Sequence, residues 1–390
     1  MNKHLKILIP TEFYLPLICG VTTAVLNQKR ALEALGHEVR ILTVSGEKKS
    51  YYKDGVYYFR SNIPQLYKDS YATLAFNDPM INDIYAWKPD IVHTQCEFFT
   101  MVFAKKIAKK LDIPLILTSH TDYDSYGIHF MKSQKLWKKI TKTFIPKCIK
   151  KADHIICVTN KNYEILSSYG VKNKMEIIPV GLDLDQFKQR LSKDERVLMR
   201  SKYGFTDDDL VLVSVCRLSE EKNVKESIDH FASLIKHYDK VKLLIVGDGT
   251  AKDALENQVK DLSLQDSVKF TGGVEMADVW KYYQLGEIFI SSSLSEIQGL
   301  TYIEALASGL PIVCRKDPSL KMSLIEGVNG YDFITDEEFL TKIKPLIEDE
   351  SFRRKMSQNA SESVEKYSIE QFGKNLMRVY EEELEIRKRG

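Results

Sequence analysis

Apolar and polar residues alternate along the first half of the chain in a pattern that predicts strands and helices in turn. An apolar run at 5–9 is followed by a loop at 10–20, an amphipathic segment at 21–35 ended by Gly36, and another apolar run at 37–44. This order predicts two parallel strands joined by a helical crossover. Further apolar runs predict strands of the same sheet, at 91–93, 115–118 and 155–158.

The second half repeats this pattern and predicts a second parallel sheet. Its strands are expected at 210–216, 242–246, 268–270, 288–292 and 312–314. The segment Ile177–Phe187 contains the Pro, Gly and Asp residues typical of a linker. We therefore expect an α/β protein of two doubly wound, Rossmann-like domains, 1–180 and 181–369, facing each other across a cleft. A charged final helix at about 370–390 is expected to pack back on the first domain.

With 390 residues, 44% of them hydrophobic and 28% charged, the chain has the composition of an ordinary globular protein. Its six cysteines include no Cys-x-x-Cys pair, which favours a reduced cytoplasmic setting over a disulfide framework or a zinc site. The apolar run at the N-terminus is too short for a signal peptide, and no stretch approaches the roughly 20 apolar residues that span a bilayer. We expect a cytoplasmic protein.

The net charge of +2 hides opposite charges on the two halves of the chain. Residues 1–180 contain 26 Lys and Arg against 16 Asp and Glu, a net charge of +10, which leaves −8 for residues 181–390. A basic half of this kind predicts contact with an anionic surface. It lacks the interleaved aromatic and basic residues of an RNA-binding sheet and any helix-turn-helix pattern, which argues against nucleic acid as a partner.

Two carboxylates flank the predicted start of a helix in the segment 291–315. Glu296 lies in the loop after a predicted strand, and Glu304 lies about one and a half turns into the helix that begins near Gly299. Free N–H groups at a helix start suit a phosphate, and carboxylates accept hydrogen bonds from the paired hydroxyl groups of a ribose or a sugar. The alternative is a pair of solvated glutamates.

Three other loops at predicted strand ends or helix starts carry residues suited to a phosphate or a sugar. Arg217 and Lys222 could neutralise a diphosphate, although a surface loop with neighbouring glutamates is the alternative. Gly20 would let backbone N–H groups approach a phosphate, although a lone glycine can also be a simple turn. His120 could bind a sugar hydroxyl or the reacting oxygens, although most histidines are structural.

The glycines at 247 and 249 form only part of a dinucleotide-binding fingerprint, because the position that would complete it is Lys252. The sequence also contains no P-loop, nucleophile elbow or cluster of metal ligands. We therefore expect neither a dehydrogenase nor a bound metal or other cofactor.

The segment 132–151 contains eight lysines and no acidic residue. Trp137 and other apolar residues recur beside these lysines at helical spacing, and Pro146 is expected to break or kink the helix. A basic amphipathic helix with a tryptophan is typical of a membrane-surface element, whereas the alternative is a solvated face. The residues expected at an anionic membrane are Lys105, Lys106, Lys109, Lys110, Lys135, Trp137, Lys138, Lys139 and Lys142.

Several motifs together resemble the retaining, nucleotide-sugar-dependent glycosyltransferases of the GT-B fold. They are YLPLICGV, the loop around His120, CRLSEEKN, IVGDG, FTGGV and SEIQGLTYIEALASGLPIV, and they span nearly the whole chain. The last of these, with ALEALGHEV, is most similar to bacterial glucosyltransferases that make α-monoglucosyldiacylglycerol on the cytoplasmic face of the membrane. Ile297 departs from that branch, which tends to have Thr at this position.

The resemblance implies a role for each candidate site residue. Glu304 would bind the ribose, and Glu296 the hydroxyl groups of the donor sugar. Arg217 and Lys222 would stabilise the diphosphate, so that no metal is required. His120 would reach the donor sugar near its anomeric carbon. The other implied donor contacts are Gly20 with a phosphate, Val274 beside the base, and the backbone N–H groups of Gln298, Gly299 and Leu300.

The resemblance also implies a reaction, in which a leaving phosphate oxygen deprotonates the acceptor hydroxyl during front-face attack on the sugar. The transferred group would be a hexose, with UDP-glucose as donor and a lipid such as 1,2-diacylglycerol as acceptor. The protein would bind peripherally to the inner face of the cell membrane. A soluble or polyprenyl-linked glycan acceptor stays open, as do a protein that binds a nucleotide sugar without catalysis, the linkage formed and the oligomeric state.

Overall fold

The computed structural model describes residues 4–63, 65, 71–123 and 133–389, with the side chain of Gln134 excepted. The chain forms two compact units, one of Met1–Gly181 with Tyr367–Gly390 and one of Leu182–Lys366. We call them the N-terminal unit and the C-terminal unit. The N-terminal unit therefore includes the end of the chain as well as its beginning.

An eight-stranded sheet forms the centre of the N-terminal unit. Its strands follow the order β3-β4-β2-β1-β5-β6-β7-β8 and are parallel, except that β3 runs antiparallel to β4. The strands are β1 (Lys6–Pro10), β2 (Glu38–Ser45), β3 (Tyr51–Lys53), β4 (Val56–Arg60), β5 (Ile91–Thr94), β6 (Leu115–Ser119), β7 (His154–Cys157) and β8 (Lys174–Ile177). The helices between them are α1 (Gly20–Ala34), α2 (Ile81–Trp87), α3 (Phe99–Leu111), α4 (Gln134–Ile149) and α5 (Asn160–Ser168).

Both faces of this sheet are buried, which explains why its central strands are continuous apolar runs. In β1, Leu8 belongs to the core on one face, whereas Ile7 and Ile9 belong to the core on the other. Of the break or kink predicted at Pro146, the break is wrong, because helix α4 continues through this residue to Ile149, and the kink stays a prediction. A proline removes a single backbone N–H donor, and the rest of this helix still forms around it.

A six-stranded parallel sheet forms the centre of the C-terminal unit, in the order β11-β10-β9-β12-β13-β14. The strands are β9 (Leu210–Val215), β10 (Val241–Val246), β11 (Val268–Phe270), β12 (Ile288–Ser291), β13 (Ile312–Arg315) and β14 (Gly330–Phe333). The helices are α6 (Leu184–Lys188), α7 (Lys193–Ser201), α8 (Val224–Leu234), α9 (Lys252–Asp261), α10 (Val279–Tyr283), α11 (Leu300–Ala307), α12 (Asp336–Glu348) and α13 (Glu350–Glu362).

The final helix, α14 (Ile369–Arg389), packs on the N-terminal unit. Its residues Leu376, Met377 and Tyr380 share a core with Ile7 and Ile9 of the sheet. The helix therefore completes the face of the sheet that also carries α1.

The segment expected to be a linker is not an exposed connection. Ile178, Val180, Leu182 and Leu184 occupy alternate positions in it, and all four are buried. The Pro, Gly and Asp residues of this segment led to the prediction of a linker. The alternation of its apolar residues would instead have predicted a buried extended segment.

Each sheet contains a point at which the order of strands reverses. In the C-terminal unit the chain builds outward from β9 through β10 to β11, and then returns to place β12 on the other side of β9. In the N-terminal unit the corresponding neighbours are β1 and β5. Ligands of open parallel sheets bind beyond the carboxyl ends of the strands at such points.

Candidate functional site

The two loops at the reversal point of the C-terminal unit contact each other directly. One follows β9 and contains the short 3₁₀ turn Glu220–Lys222, and the other follows β12. The backbone N–H of Leu294 donates to the carbonyl oxygen of Glu221 over 2.9 Å, and the hydroxyl of Ser293 donates to the same oxygen. These bonds hold the loop that contains Arg217 and Lys222 against the loop that contains Glu296.

Lys222 and Glu296 form an ion pair across these loops, with 2.6 Å between Nζ and Oε1. Both side chains are mostly buried. Burial acts to lower the pKa of Lys222, but Glu296 with other neighbouring groups outweighs it and holds that pKa above its ordinary value. The ammonium group of Lys222 therefore stays charged, and the carboxylate of Glu296 fixes its position.

Arg217 makes a different kind of contact. Its guanidinium pairs with Glu221 on the same loop over 2.7 Å, and its side chain is 39% exposed. Burial acts to raise the pKa of Glu221, but Ser219 and Arg217 hold it below its ordinary value. Exposed pairs of this kind contribute roughly 0.2–1 kcal/mol, so a diphosphate could displace Glu221 from Arg217 at little cost.

Helix α11 begins where the sequence predicts, with Gly299 at its N-cap. The φ angle of this glycine is +65°, a conformation that side chains disfavour, and a Cβ atom there would lie 2.5 Å from the ring of Tyr302. Gln298 is buried beside the turn, and Leu300 is the first helical residue.

Glu304 is buried in α11 and accepts a hydrogen bond from the hydroxyl of Tyr283 over 2.7 Å. Burial raises the pKa of Glu304 to about 7, against a smaller opposing contribution from Tyr283. Tyr283 was not predicted as a site residue, because no local sequence pattern links it to Glu304 on another helix.

The loops after β10 and β11 also lie at this edge of the sheet. The N–H of Gly247 donates to the carbonyl oxygen of Gly272 over 3.1 Å, which places the loop of Val274 beside that of Gly247. Gly247 has a φ of +137°, and a Cβ atom there would lie 1.9 Å from the carbonyl oxygen of Cys216. This glycine therefore permits close packing of two loop backbones, and Val274 is partly buried near it.

Gly20 and His120 belong to the N-terminal unit. Gly20 is the first residue of α1, and a Cβ atom there would meet no other atom within 4 Å. His120 follows β6, and its Nε2 lies 2.8 Å from Oε1 of Gln95. Burial lowers the pKa of His120 to about 4, so the ring is neutral at pH 7. The loop around His120 is predicted at 119–126, and its residues 124–126 lie outside the described part of the chain.

Two buried carboxyl groups near the reversal point of the N-terminal unit were not predicted. Glu12 follows β1 and accepts a hydrogen bond from the N–H of Thr100, in the first turn of α3, over 3.0 Å. Glu97 lies in the loop before the same helix. Burial raises the pKa of each to about 7. Glu12 thus satisfies a free donor at the helix start, a role that sequence spacing does not indicate.

The predicted membrane-binding residues lie on α3 and α4, and most of them are exposed. An apolar stripe on α4 consists of Leu136, Ile140 and Phe144. Leu136 is 47% exposed, Ile140 is 42% exposed and Phe144 is 51% exposed. Phe144 stacks on Phe98, with 6.2 Å between ring centroids. We call this stripe, with the exposed lysines Lys135, Lys138, Lys139 and Lys142 around it, the basic apolar surface.

Trp137 does not belong to that exposed stripe. Its indole N–H donates to the carbonyl oxygen of Tyr123 over 2.6 Å, and the ring is only partly exposed. On α3, Lys106, Lys109 and Lys110 are exposed, whereas Lys105 is half-buried. Lys132, the first lysine of the predicted basic segment, lies outside the described residues.

In the part of the chain that the structure describes, no group of three or more His, Cys, Asp or Glu side chains is arranged to hold a metal ion. No helix within the same part combines the length and apolar character needed to cross a membrane.

Comparisons with known proteins decide the family. Residues 195–363 match the model of glycosyl transferases group 1, and residues 18–186 match that of glycosyltransferase family 4. An α-monoglucosyldiacylglycerol synthase of Streptococcus pneumoniae is 32% identical over 95% of this chain and 84% of its own length. One from Acholeplasma laidlawii is 30% identical over 96% of each chain.

The chain belongs to the nucleotide-sugar-dependent glycosyltransferases. Among solved structures, Anabaena Alr3699/HepE in complex with UDP and glucose superposes with a TM-score of 0.75 at 19% identity, covering 97% of this chain and 100% of that one. The prediction of two parallel-sheet domains of the GT-B fold is thereby confirmed, as is the resemblance to the monoglucosyldiacylglycerol synthases. The roles of individual site residues in this glycosyltransferase stay predictions.

Proposed function

We propose that this glycosyltransferase moves glucose from UDP-glucose to 1,2-diacylglycerol at the membrane surface, with retention, to form an α-glycolipid. The observation that carries the proposal is the similarity to two α-monoglucosyldiacylglycerol synthases, at 32% and 30% identity over nearly the whole chain. This similarity includes both units, so it supports a lipid acceptor better than a likeness confined to one unit would.

The basic apolar surface supports a lipid acceptor on physical grounds. Its apolar stripe can enter the boundary between headgroups and acyl chains, while the surrounding lysines attract anionic lipids. A glycosyltransferase acting on a soluble glycan has no evident need for such a surface. We therefore propose that the protein binds peripherally to the inner face of the cell membrane.

The proposed reaction forms a bond between the acceptor oxygen and the anomeric carbon as the bond from that carbon to the diphosphate breaks. The acceptor proton passes to an oxygen of the leaving phosphate, and UDP departs. The ammonium group of Lys222 and the guanidinium of Arg217 would stabilise the charge that develops on the diphosphate, which is the task a metal ion would otherwise perform. Glu296 would hold the donor sugar while it positions Lys222.

The alternative is the same transfer to a soluble or polyprenyl-linked glycan. Incubation with radiolabelled UDP-glucose and either diacylglycerol vesicles or soluble glycans distinguishes the two by where the label appears. Label in the lipid fraction is the expected result, and label only in the glycan would overturn the lipid assignment. Release of UDP without label in either acceptor would leave hydrolysis as the activity, and no release would favour a non-catalytic binding protein.

Glu296 lies in the loop before α11, and Glu304 lies in α11 itself. We expect the two carboxylates to act at different steps. Glu296→Ala should abolish most hexose transfer while leaving the affinity for UDP largely unchanged, because Glu296 is assigned to the sugar. Glu304→Ala should instead weaken UDP binding, because Glu304 is assigned to the ribose. Calorimetry with UDP and transfer assays on both variants test this division, and equal losses of UDP affinity would contradict it.

Donor binding is expected to depend on the protonation of Glu304. Since burial raises the pKa of this carboxyl to about 7, it is largely protonated at pH 6 and largely ionised at pH 8. Ionised carboxylates accept stronger hydrogen bonds from hydroxyl groups, so affinity should rise about fivefold as the pH is raised through 7. Calorimetry with UDP-glucose, whose diphosphate does not titrate in this window, measures the change. Glu304→Gln should remove most of this rise.

A further inference from the structure

A chain of buried hydrogen bonds runs inward from His120 through the N-terminal unit. Oε1 of Gln95 lies 2.8 Å from Nε2 of His120, and Nε2 of Gln95 donates to Oε1 of Gln28 over 2.8 Å. Nε2 of Gln28 lies 2.7 Å from Nδ1 of His93. Gln95, Gln28 and His93 are all buried. The candidate catalytic histidine is therefore joined to three side chains that hydrogen-bond in series.

The inner end of this chain joins side chains from four different elements. The hydroxyl of Tyr380, on α14, lies 2.6 Å from Nδ1 of His93 and 3.0 Å from Nε2 of Gln28. Nε2 of His93 lies 2.7 Å from the hydroxyl oxygen of Thr118, on β6. Gln28 itself belongs to α1 and His93 to β5. The final helix, α14, therefore helps to hold in place the hydrogen-bond chain that ends at His120.

The chemistry of the amide groups gives the chain a direction. An amide oxygen only accepts and an amide nitrogen only donates, so Oε1 of Gln95 requires a hydrogen on Nε2 of His120. Burial lowers the pKa of His120 to about 4 and that of His93 to about 3, so each ring carries one hydrogen at pH 7. Nδ1 of His120 is then left with a lone pair that can accept a hydrogen bond from a sugar hydroxyl.

We propose that Gln95 is a positioning residue that fixes the tautomer and ring orientation of His120, and that Gln28, His93 and Tyr380 hold its amide in place. The functional part of this inference rests on the proposed function, in which His120 acts on the donor sugar. Removing the partner that orients a metal-bound histidine through its second nitrogen typically costs about 10- to 100-fold in activity, and we take the same range for His120.

The direct test replaces Gln95 by methionine, which is similar in length but neither donates nor accepts in this chain. Gln95→Met should lower kcat for hexose transfer about 10- to 100-fold while the KM for UDP-glucose changes less than threefold. In ¹⁵N NMR of histidine-labelled protein, wild-type His120 should show the Nε2–H tautomer, and the variant a mixture of both. The His120→Gln variant assigns the signal.

A matched control uses another buried bond between α14 and the sheet. Oε1 of Glu383 lies 3.0 Å from Nδ1 of His154, and both residues are buried. Glu383→Gln weakens that contact without touching the chain to His120, so it should lower the melting temperature but leave kcat and the His120 tautomer unchanged. A loss of kcat in Glu383→Gln equal to that in Gln95→Met would mean that α14 packing alone is responsible, and would overturn the proposal.

Two further outcomes decide the proposal whatever the stability of Gln95→Met. Tyr380→Phe removes one hydroxyl from a ring that stays packed, and it should lower kcat about threefold with a visible shift of the His120 signal. An Nδ1–H tautomer of His120 in the wild-type protein, or unchanged signals in both variants, would refute it. Because the tautomer is measured without substrate, failure of the lipid-transfer assay would count against the proposed function and not against this inference.

Discussion

Replacing Lys222 by alanine is expected to lower kcat for hexose transfer about 10²- to 10³-fold, the loss typical of removing one preorganised group that stabilises developing charge. The pairing with Glu296 holds Nζ in place before substrate arrives, and it keeps the ammonium charged. Charge on the diphosphate grows as the bond to the sugar breaks, so the effect should fall mainly on kcat. The dissociation constant for UDP-glucose should rise less than tenfold.

The variant also leaves Glu296 without its ion-pair partner, so stability must be followed separately. Lys225→Ala, an exposed lysine at the start of α8, is the matched control and should have wild-type kcat and melting temperature. Turnover within threefold of wild type in a folded Lys222→Ala protein would remove this residue from the mechanism. Arg217→Ala should have a smaller effect, because its exposed side chain is less rigidly placed.

The parallel strands could be predicted because sheets buried on both faces require continuous apolar runs. Four strands were not predicted, and three of them lack such runs. The exception is β4, which was missed although it is an apolar run with Val56, Tyr57 and Phe59 buried. All three residues of β3 are exposed, and β8, at the other edge of its sheet, begins with an exposed lysine. β14 contains a glycine, a tyrosine and an aspartate in its four residues. At sheet edges one side of the strand faces solvent or a loop, and the sequence pattern weakens accordingly.

The candidate site was predictable to the level of its loops and not to the level of its contacts. Loops after neighbouring parallel strands lie at the same edge of a sheet, which is enough to place Lys222 near Glu296. The contact of Glu304 with Tyr283 and that of His120 with Gln95 depend on how helices and loops pack, and local periodicity carries no such information. The hydrogen bond of Trp137 to the carbonyl oxygen of Tyr123 could not be predicted for the same reason, and the membrane role of Trp137 stays a prediction.

Reversing four charges on the basic apolar surface is expected to release the protein from anionic vesicles. A lysine near an anionic membrane contributes about 1 kcal/mol, so Lys135, Lys138, Lys139 and Lys142→Glu should lower vesicle partitioning by at least about 100-fold. Sedimentation with vesicles of increasing anionic lipid content measures the change. Wild-type binding should fall as salt is raised, because exposed charges are screened over about 10 Å at 0.1 M salt.

The matched control reverses four exposed lysines of the C-terminal unit, Lys193, Lys202, Lys236 and Lys355. It makes the same change in net charge, so a general electrostatic effect would release both variants equally, whereas a localised surface predicts that only the first is released. Hydrolysis of UDP-glucose should survive in both, since the candidate diphosphate site lies in the C-terminal unit, whereas α4 belongs to the N-terminal unit. Phe144→Trp places a fluorescent ring in the exposed stripe, where it reports lipid contact more directly than Trp137, whose ring is only partly exposed. A blue shift of that ring on vesicle addition is expected if the stripe enters the lipid. Unchanged sedimentation of the first variant would mean that the lysines of α4 form only a solvated face, and the lipid acceptor would then depend on sequence similarity alone.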